Sequence, residues 1–335
     1  MLILYKVKLE KEETLLVDLL KTNIPVLKIG IVGGGKNIDR SIEQIRKVAD
    51  CEFQGYFDAT SSASRNKKFN QLEDLMGEAD AFCVLNPIAN MEQTEILLRN
   101  QKHCLIESPF APSSKAGSHI IDLVREADVK IHISNPKRYN DAFYNTSPYF
   151  RSPIFIESRS LQPYSKETKN LSLVMSLMIH DIDIILNVVK SPVKSVTANG
   201  VAVVSKEPDI ISARIEFDNG CIANLTASRI NSEINHEASF YQQNDFINVD
   251  YLNKTSEVFD LGSRKTKRKG ELLNNVFSFD AKINEQAPKL KSYPNEVQSF
   301  VDSIMNNTPA ISMANCLNAL EIAYAIEEKI ERSFA

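Results

Sequence analysis

Residues 28–35 read Lys-Ile-Gly-Ile-Val-Gly-Gly-Gly, an apolar strand-forming run that ends in three consecutive glycines and passes directly into a helical pattern over Ile38–Val48. Side chains at Gly33, Gly34 and Gly35 would hold an anion away from the backbone. Glycine lets a pyrophosphate approach the helix N-terminus, where unbonded N–H groups and the helix dipole attract negative charge. A tight turn would use the same glycines, and the G-x-G-x-x-G pattern is incomplete: Gly33 and Gly35 fit it, while Ile38 stands at the third glycine, a position that governs helix–strand packing. The next apolar run, Cys-Glu-Phe-Gln-Gly-Tyr-Phe over 51–57, reads as a second strand and ends at Asp58. An acidic side chain there binds a ribose 2′-hydroxyl and repels a 2′-phosphate, which favours NAD over NADP, although Ser61, Ser62 and Arg65 lie near enough to compensate a phosphate. Alone, Asp58 reads equally as a turn or cap residue. With the glycines it points to a cofactor site.

Outward from this unit, apolar strands recur at 81–85, 103–106 and 129–134, separated by helical stretches at 91–99 and 113–126. Such alternation implies a parallel sheet covered by helices. After Asn135 the rhythm changes to period-two runs, for example 211–217 and 221–228, joined through Asp218-Asn219-Gly220 as a hairpin. This half also holds a helix over 171–189, so apolar that it must be buried on most sides, and closes with amphipathic helices over 295–305 and 313–330. The expected fold is α/β: an N-terminal Rossmann doubly wound parallel sheet (28–134) and a C-terminal α+β domain on a mostly antiparallel open sheet (135–335). Residues 1–27 read as an extension, a short strand followed by a helix with Leu15, Leu16, Leu19 and Leu20 on one side.

The 335 residues are 43% hydrophobic and 24% charged, enough for two ordinary cores and incompatible with a mainly disordered chain. Lys and Arg number 39 against 43 Asp and Glu, so no global basic field exists to hold a nucleic acid. The basic run 264–269 reads as a solvated loop or as a contact to a phosphorylated ligand. Five widely spaced cysteines without a C-x-x-C argue against both a disulfide framework and a zinc site. His103, His119, His132 and His236 are scattered singly and suggest no metal. The apolar start is too short for a signal-peptide core, and no stretch is long and apolar enough to span a bilayer, so a cytoplasmic protein without a membrane partner is expected.

In order and spacing, KIGIVGGG, Asp58, AFCVLNP with Asn86-Pro87, QKHCLIESPF, LVMSLMIHDIDIIL and the closing stretch from Pro294 resemble one family. The chain is similar, from residue 28 to its end, to the Gfo/Idh/MocA group of NAD(P)-dependent oxidoreductases, most of which act on sugars, sugar nucleotides or cyclitols. The resemblance implies that Asn86, Pro87, Glu107 and Pro109 line the nicotinamide end of an NAD site. It implies too that Arg138, in Arg138-Tyr139-Asn140, borders a cleft for a small carbohydrate-derived substrate, and that the open sheet forms a homo-oligomer.

Two departures bear on catalysis. Where the family has Glu-Lys-Pro this chain has Glu107-Ser108-Pro109, and the aspartate of Asp-x-x-x-His is replaced by Ser176, leaving His180. A serine hydroxyl donates a hydrogen bond but does not shuttle a proton near neutral pH without a neighbouring base. In one reading His180 is the acid/base of a hydride transfer between nicotinamide and a carbinol carbon. Asp183 or Asp181 then orients it, Ser108 and Ser176 stand at the family's catalytic positions, and Lys137, Arg138, Tyr164 or Lys166 polarise the substrate. In the other the chain is a catalytically inactive nucleotide-binding sensor or scaffold, and His180 is a hydrogen-bonded histidine inside an apolar helix.

Overall fold

The computed structural model describes residues 26–35, 38–58, 64–165, 172–260, 275–280, 295–307 and 313–334. The expected N-terminal strand and helix, Ser61, Ser62, Lys166 and the basic run 264–269 lie outside them.

Six parallel strands form the first sheet: β1 (Leu27–Val32), β2 (Cys51–Phe57), β3 (Lys68–Phe69), β4 (Ala81–Val84), β5 (His103–Ile106) and β6 (Ile131–Ile133), in the order β3-β2-β1-β4-β5-β6. Helices α1 (Ile38–Arg46), α2 (Leu72–Glu78), α3 (Met91–Arg99) and α4 (Ser114–Ala127) cover its faces. The central strands are mostly apolar because both faces are packed, β4 being buried at every residue and β1 at all but Lys28. Helix α1 needs only one apolar stripe, and Ile38, Ile42 and Ile45 supply it at one-turn spacing. Since β2 lies on one side of β1 and β4 on the other, the strand order reverses there and opens a crevice at the carboxyl ends of β1 and β4, beside the glycines.

The second sheet has eight strands: β7 (Phe155–Leu161), β8 (Val193–Val201), β9 (Ile210–Phe217), β10 (Ile222–Ser228), β11 (Asn235–Gln242), β12 (Asp245–Asp250), β13 (Thr255–Asp260) and β14 (Asn275–Asp280). Their order is β14-β13-β12-β11-β7-β10-β9-β8, and every pairing is antiparallel except β7 with β10. The expected hairpin joins β9 to β10, with Gly220 alone in the left-handed region and its N–H donating to Phe217 O at 2.9 Å. One face of this sheet, through Ile156, Ile215, Ala223, Ala238, Phe240 and Ile247, is buried in the core that also holds helix α6 (Ile179–Val189). The other carries Glu157, Arg159 and Glu237 and is open.

Helix α6 is buried on nearly all sides, as its composition predicts, and is preceded by one π-helical turn, Val174–Met178. Its burial includes Asp181 and Asp183, two carboxylates that must find cations inside the protein. The short helix α5 (Asp141–Thr146) follows the first sheet, and α7 (Glu296–Met305) and α8 (Met313–Phe334) close the chain. Val297, Phe300 and Val301 of α7 pack with Ile29, Ile31 and Ile42, so the core around the first sheet takes in residues from far beyond Asn135.

Candidate active site

The turn after β1 is built on two glycines for two different reasons. Gly33 has φ +90° and its N–H donates to Phe57 O at 2.8 Å; a Cβ there would lie 2.3 Å from Leu85 O. Gly35 has φ +100°, yet a Cβ on it would meet nothing within 4 Å among the described residues, so on their side its backbone is open just before α1. Gly34, between them, is half-buried. Asp58, 6% exposed, ends β2 beside this turn. An open glycine backbone at a helix N-terminus and a carboxylate at the end of the neighbouring strand fit the pyrophosphate and ribose of a dinucleotide.

Beyond β4 and β5 the crevice is braced by side chains. Asn86, φ +48°, donates its backbone N–H to Glu107 Oε2 at 2.9 Å, and Asn90 Nδ2 donates to Leu85 O at 3.0 Å. Pro87 is buried, while Ser108 and Pro109 are half-buried. Burial pushes the Glu107 carboxyl above its ordinary range, against the Asn86 hydrogen bond. Ser108 shares a small cavity with Asn135, Ile179, Asp183 and Cys316, which sets the start of α6 against the ends of β5 and β6.

Around that junction the chain assembles a polar network. Asn135 Nδ2 donates to Asp183 Oδ2 at 2.6 Å and to His180 O at 3.0 Å, while the Asn135 N–H and the Ser134 hydroxyl both donate to Glu296. Arg138 holds both oxygens of Asp183 as a two-pronged ion pair. Lys137 Nζ pairs with Asp181 and donates to Ser160 Oγ at 2.9 Å, and Ser158 and Ser160 donate to Asp181 at 2.7 and 2.6 Å. Burial opposes ionisation of Asp181, but Lys137 and the serines hold its carboxyl below the ordinary value. The two buried carboxylates are thus fully committed to Arg138, Asn135, Lys137 and the serines, and neither bonds the His180 imidazole.

His180 is half-buried, and its Nδ1 has no hydrogen-bond partner among the described residues. Burial, then the Lys137 charge, lowers its pKa to about 4, so the ring is neutral at pH 7. Ser176, one turn earlier, donates its hydroxyl back to Ser172 O at 2.6 Å. Tyr164 is 43% exposed in the stretch after β7. His236 stands alone in the sequence, yet strand register places it opposite Ser160, near Lys137 and Asp181. Tyr251, Asn135 and Glu296 join the network without any sequence signal, because only the packing of distant segments brings them here.

The comparisons with known proteins agree with this architecture. Residues 27–135 match the model of the oxidoreductase family with an NAD-binding Rossmann fold, and residues 150–241 match the GFO/IDH/MocA C-terminal domain. The chain belongs to the GFO/IDH/MocA oxidoreductase family. One relative, the UDP-N-acetylglucosamine 3-dehydrogenase of Acidithiobacillus ferrooxidans, is 28% identical over 246 residues, 71% of this chain and 78% of that protein. A crystal form of that enzyme superposes with a TM-score of 0.81 at 23% identity, covering 92% of this chain and 99% of the other. The WlbA dehydrogenase of Bordetella pertussis, solved with NADH and UDP-GlcNAcA, gives a TM-score of 0.73 at 15% identity over 92% and 96% of the two chains. The two-sheet architecture is therefore that of the GFO/IDH/MocA fold.

Proposed function

We propose that this GFO/IDH/MocA protein is an NAD-dependent oxidoreductase acting on a CH–OH carbon of a sugar nucleotide, with UDP-N-acetylglucosamine the first substrate to try. One observation carries the reading. Asn135, just beyond the carboxyl end of β6, donates its Nδ2 to the His180 carbonyl at 3.0 Å, which supports a place for His180 beside the strand ends where an open parallel sheet binds its ligands. Oxidising a carbinol removes a hydride and a proton; bound NAD supplies the hydride acceptor. The chain must take the proton, and the neutral imidazole of half-buried His180 supports that role. Gly33, Gly34 and Gly35 approach the pyrophosphate and Asp58 the ribose, which favours NAD over NADP. Asn86, Pro87, Glu107 and Pro109 shape the nicotinamide end, with Arg138 holding the wall of the cleft through Asp183. The reading divides the chain after residue 134 into cofactor and substrate units, with α7 crossing back to the first.

The relative's activity on a UDP-sugar supports the substrate class. A row of half-exposed rings on the open sheet face, Phe155, Tyr241, Phe246 and Phe259 at centroid spacings of 5.8, 5.6 and 4.3 Å, supports a homo-oligomer through that face. Five buried, unlinked cysteines support a reducing, cytoplasmic setting. Among the described residues no helix is long and apolar enough to cross a membrane. The test is a titration with NADH and NADPH followed by cofactor emission, since the chain has no tryptophan, and then turnover assays with UDP-sugars. Saturable NADH binding with turnover lost in His180→Ala is expected. Binding without turnover of any sugar nucleotide would favour a sensor or scaffold, a reading for which the loss of lysine at 108 and aspartate at 176 speaks.

A further inference from the structure

Just past β6, the segment from Ser134 to Arg138 is held from three directions. Towards the first sheet, the Ser134 N–H donates to Ile106 O at 2.7 Å, the residue before Glu107. From α7, 162 residues along the chain from Ser134, Glu296 accepts the Ser134 hydroxyl at 2.7 Å on one carboxylate oxygen and the Asn135 N–H at 2.9 Å on the other. Towards α6, the Asn135 amide donates to His180 O at 3.0 Å and to Asp183 Oδ2 at 2.6 Å. Its Oδ1 accepts the Lys137 N–H at 3.0 Å, and its backbone carbonyl accepts the Arg138 N–H at 3.0 Å. Asn135 is 3% exposed, and each of its polar groups is bonded.

These partners demand an asparagine. A carbonyl and a carboxylate on one side need two donors, the Lys137 N–H on the other needs an acceptor, and a short side-chain amide offers both. Aspartate would set a second carboxylate against Asp183, and leucine would leave the Lys137 N–H unbonded. Cohesion does not call for this link, because apolar packing already holds α6 and α7 in their cores. What a fully bonded buried network adds is a single arrangement of the parts it joins.

We propose that Asn135 and Glu296 are positioning residues of the reaction: Glu296 fixes the end of β6, and Asn135 ties the first turn of α6 to it, setting the substrate against the nicotinamide. The proposal rests on the oxidoreductase reading above and holds whichever side chain takes the proton. In that reading the cofactor lies along Glu107 and Pro109 and the substrate beside α6, so the hydride crosses between the two. Ser108 and Asn135 line one small cavity with Ile179 and Asp183, so the segment after β5 and the start of α6 face one another across it. An error of about 1 Å between reacting groups costs as much as ~100-fold in rate.

The test compares Glu296→Ala, Glu296→Gln and Asn135→Ser in the full chain. With UDP-N-acetylglucosamine, Glu296→Ala should lower kcat by about 10–100-fold while KM and NADH affinity stay within about threefold. Glu296→Gln keeps an acceptor for the Asn135 N–H and should restore kcat to within about threefold of wild type. Asn135→Ser keeps its N–H on Glu296 but loses the amide contacts to α6, and should lower kcat as Glu296→Ala does; it carries the test if Glu296→Ala does not fold. Amide exchange followed by mass spectrometry, with NADH bound, gives a readout independent of turnover: in Glu296→Ala and Asn135→Ser, α6 should exchange about tenfold faster while β12 is unchanged. Folded Glu296→Ala and Asn135→Ser with wild-type kcat overturn the positioning role and leave the oxidoreductase reading standing. So does a loss of activity that follows melting temperature, quickens exchange in β12 as much as in α6, and is not restored by glutamine. A wild type that binds NADH but turns over no sugar nucleotide overturns the oxidoreductase reading and the reaction role with it, whatever the exchange of α6.

Discussion

Replacing Gly33 and Gly35 separately by alanine distinguishes a glycine kept for packing from one kept for a ligand. Both residues have φ near +90 to +100°, so an alanine at either costs about 1–2 kcal/mol of backbone strain. The neighbourhoods differ. At Gly33 the new Cβ would lie 2.3 Å from the backbone oxygen of Leu85 and 2.8 Å from Asn90 Nδ2, closer than real Cβ contacts come, so the ends of β1 and β4 must separate. Since Leu85 N–H donates to Val32 O at 2.8 Å, that separation breaks a crossing between the two central strands and adds at least ~1–2 kcal/mol. Gly33→Ala should therefore cost roughly 3 kcal/mol in urea unfolding, against about 1–2 kcal/mol for Gly35→Ala. For NADH affinity the order should reverse relative to stability: Gly35→Ala, whose Cβ meets no described residue within 4 Å, should weaken binding in a protein that remains folded. The assay is paired: a urea midpoint and an NADH emission titration for each variant. Equal stability losses, or unaltered NADH affinity in Gly35→Ala, would refute the reasoning.

Four further outcomes follow from named contacts. Asp183→Ala leaves the buried Arg138 guanidinium without its carboxylate and should cost about 3–5 kcal/mol in urea unfolding, whereas Arg138→Met/Asp183→Leu should cost less because no bare charge remains. His132, buried with both ring nitrogens lacking partners among the described residues and packed edge-on to Phe300 at 5.5 Å, is pushed by burial to a pKa of about 4. The unfolded chain takes up this proton below its ordinary 6.5 and the folded one does not, so stability present above that value is lost as pH falls towards 4; His132→Leu should flatten that fall without loss at pH 7, read from urea midpoints at pH 7 and pH 5. Asp58→Ser should raise NADPH affinity relative to NADH by about tenfold in paired emission titrations, and no change in the ratio would remove Asp58 from the ribose site. Ser108→Lys should increase turnover of a UDP-sugar; activity appearing only in this variant would mark the natural chain as a decayed enzyme.

Read from the sequence alone, the first sheet is accessible in five of its six strands. The strands 51–57 and 103–106 and the helix 91–99 stand where periodicity places them, because a buried strand must be an unbroken apolar run and a surface helix must repeat every three to four residues. The glycine turn at the end of β1 was legible for the same reason: it is local to one strand–turn–helix unit. The short strand β3 and helix α2 carried too few residues to show a period. Helix α6 was recognisable as buried, but the fate of its carboxylates was not. Asp181 and Asp183 sit one and three residues from His180 and look like its orienting groups, yet they belong to Lys137 and Arg138, more than forty residues away. His236 looked isolated because its neighbours, Ser160 and Tyr251, come from other strands, aligned by a register that no single strand specifies. Local patterns determine which face of an element is buried, since that depends only on the spacing of apolar side chains along it. Which buried cation meets which carboxylate depends on strand order, register and the return of α7 to the first sheet, and those are decided only when the whole core closes.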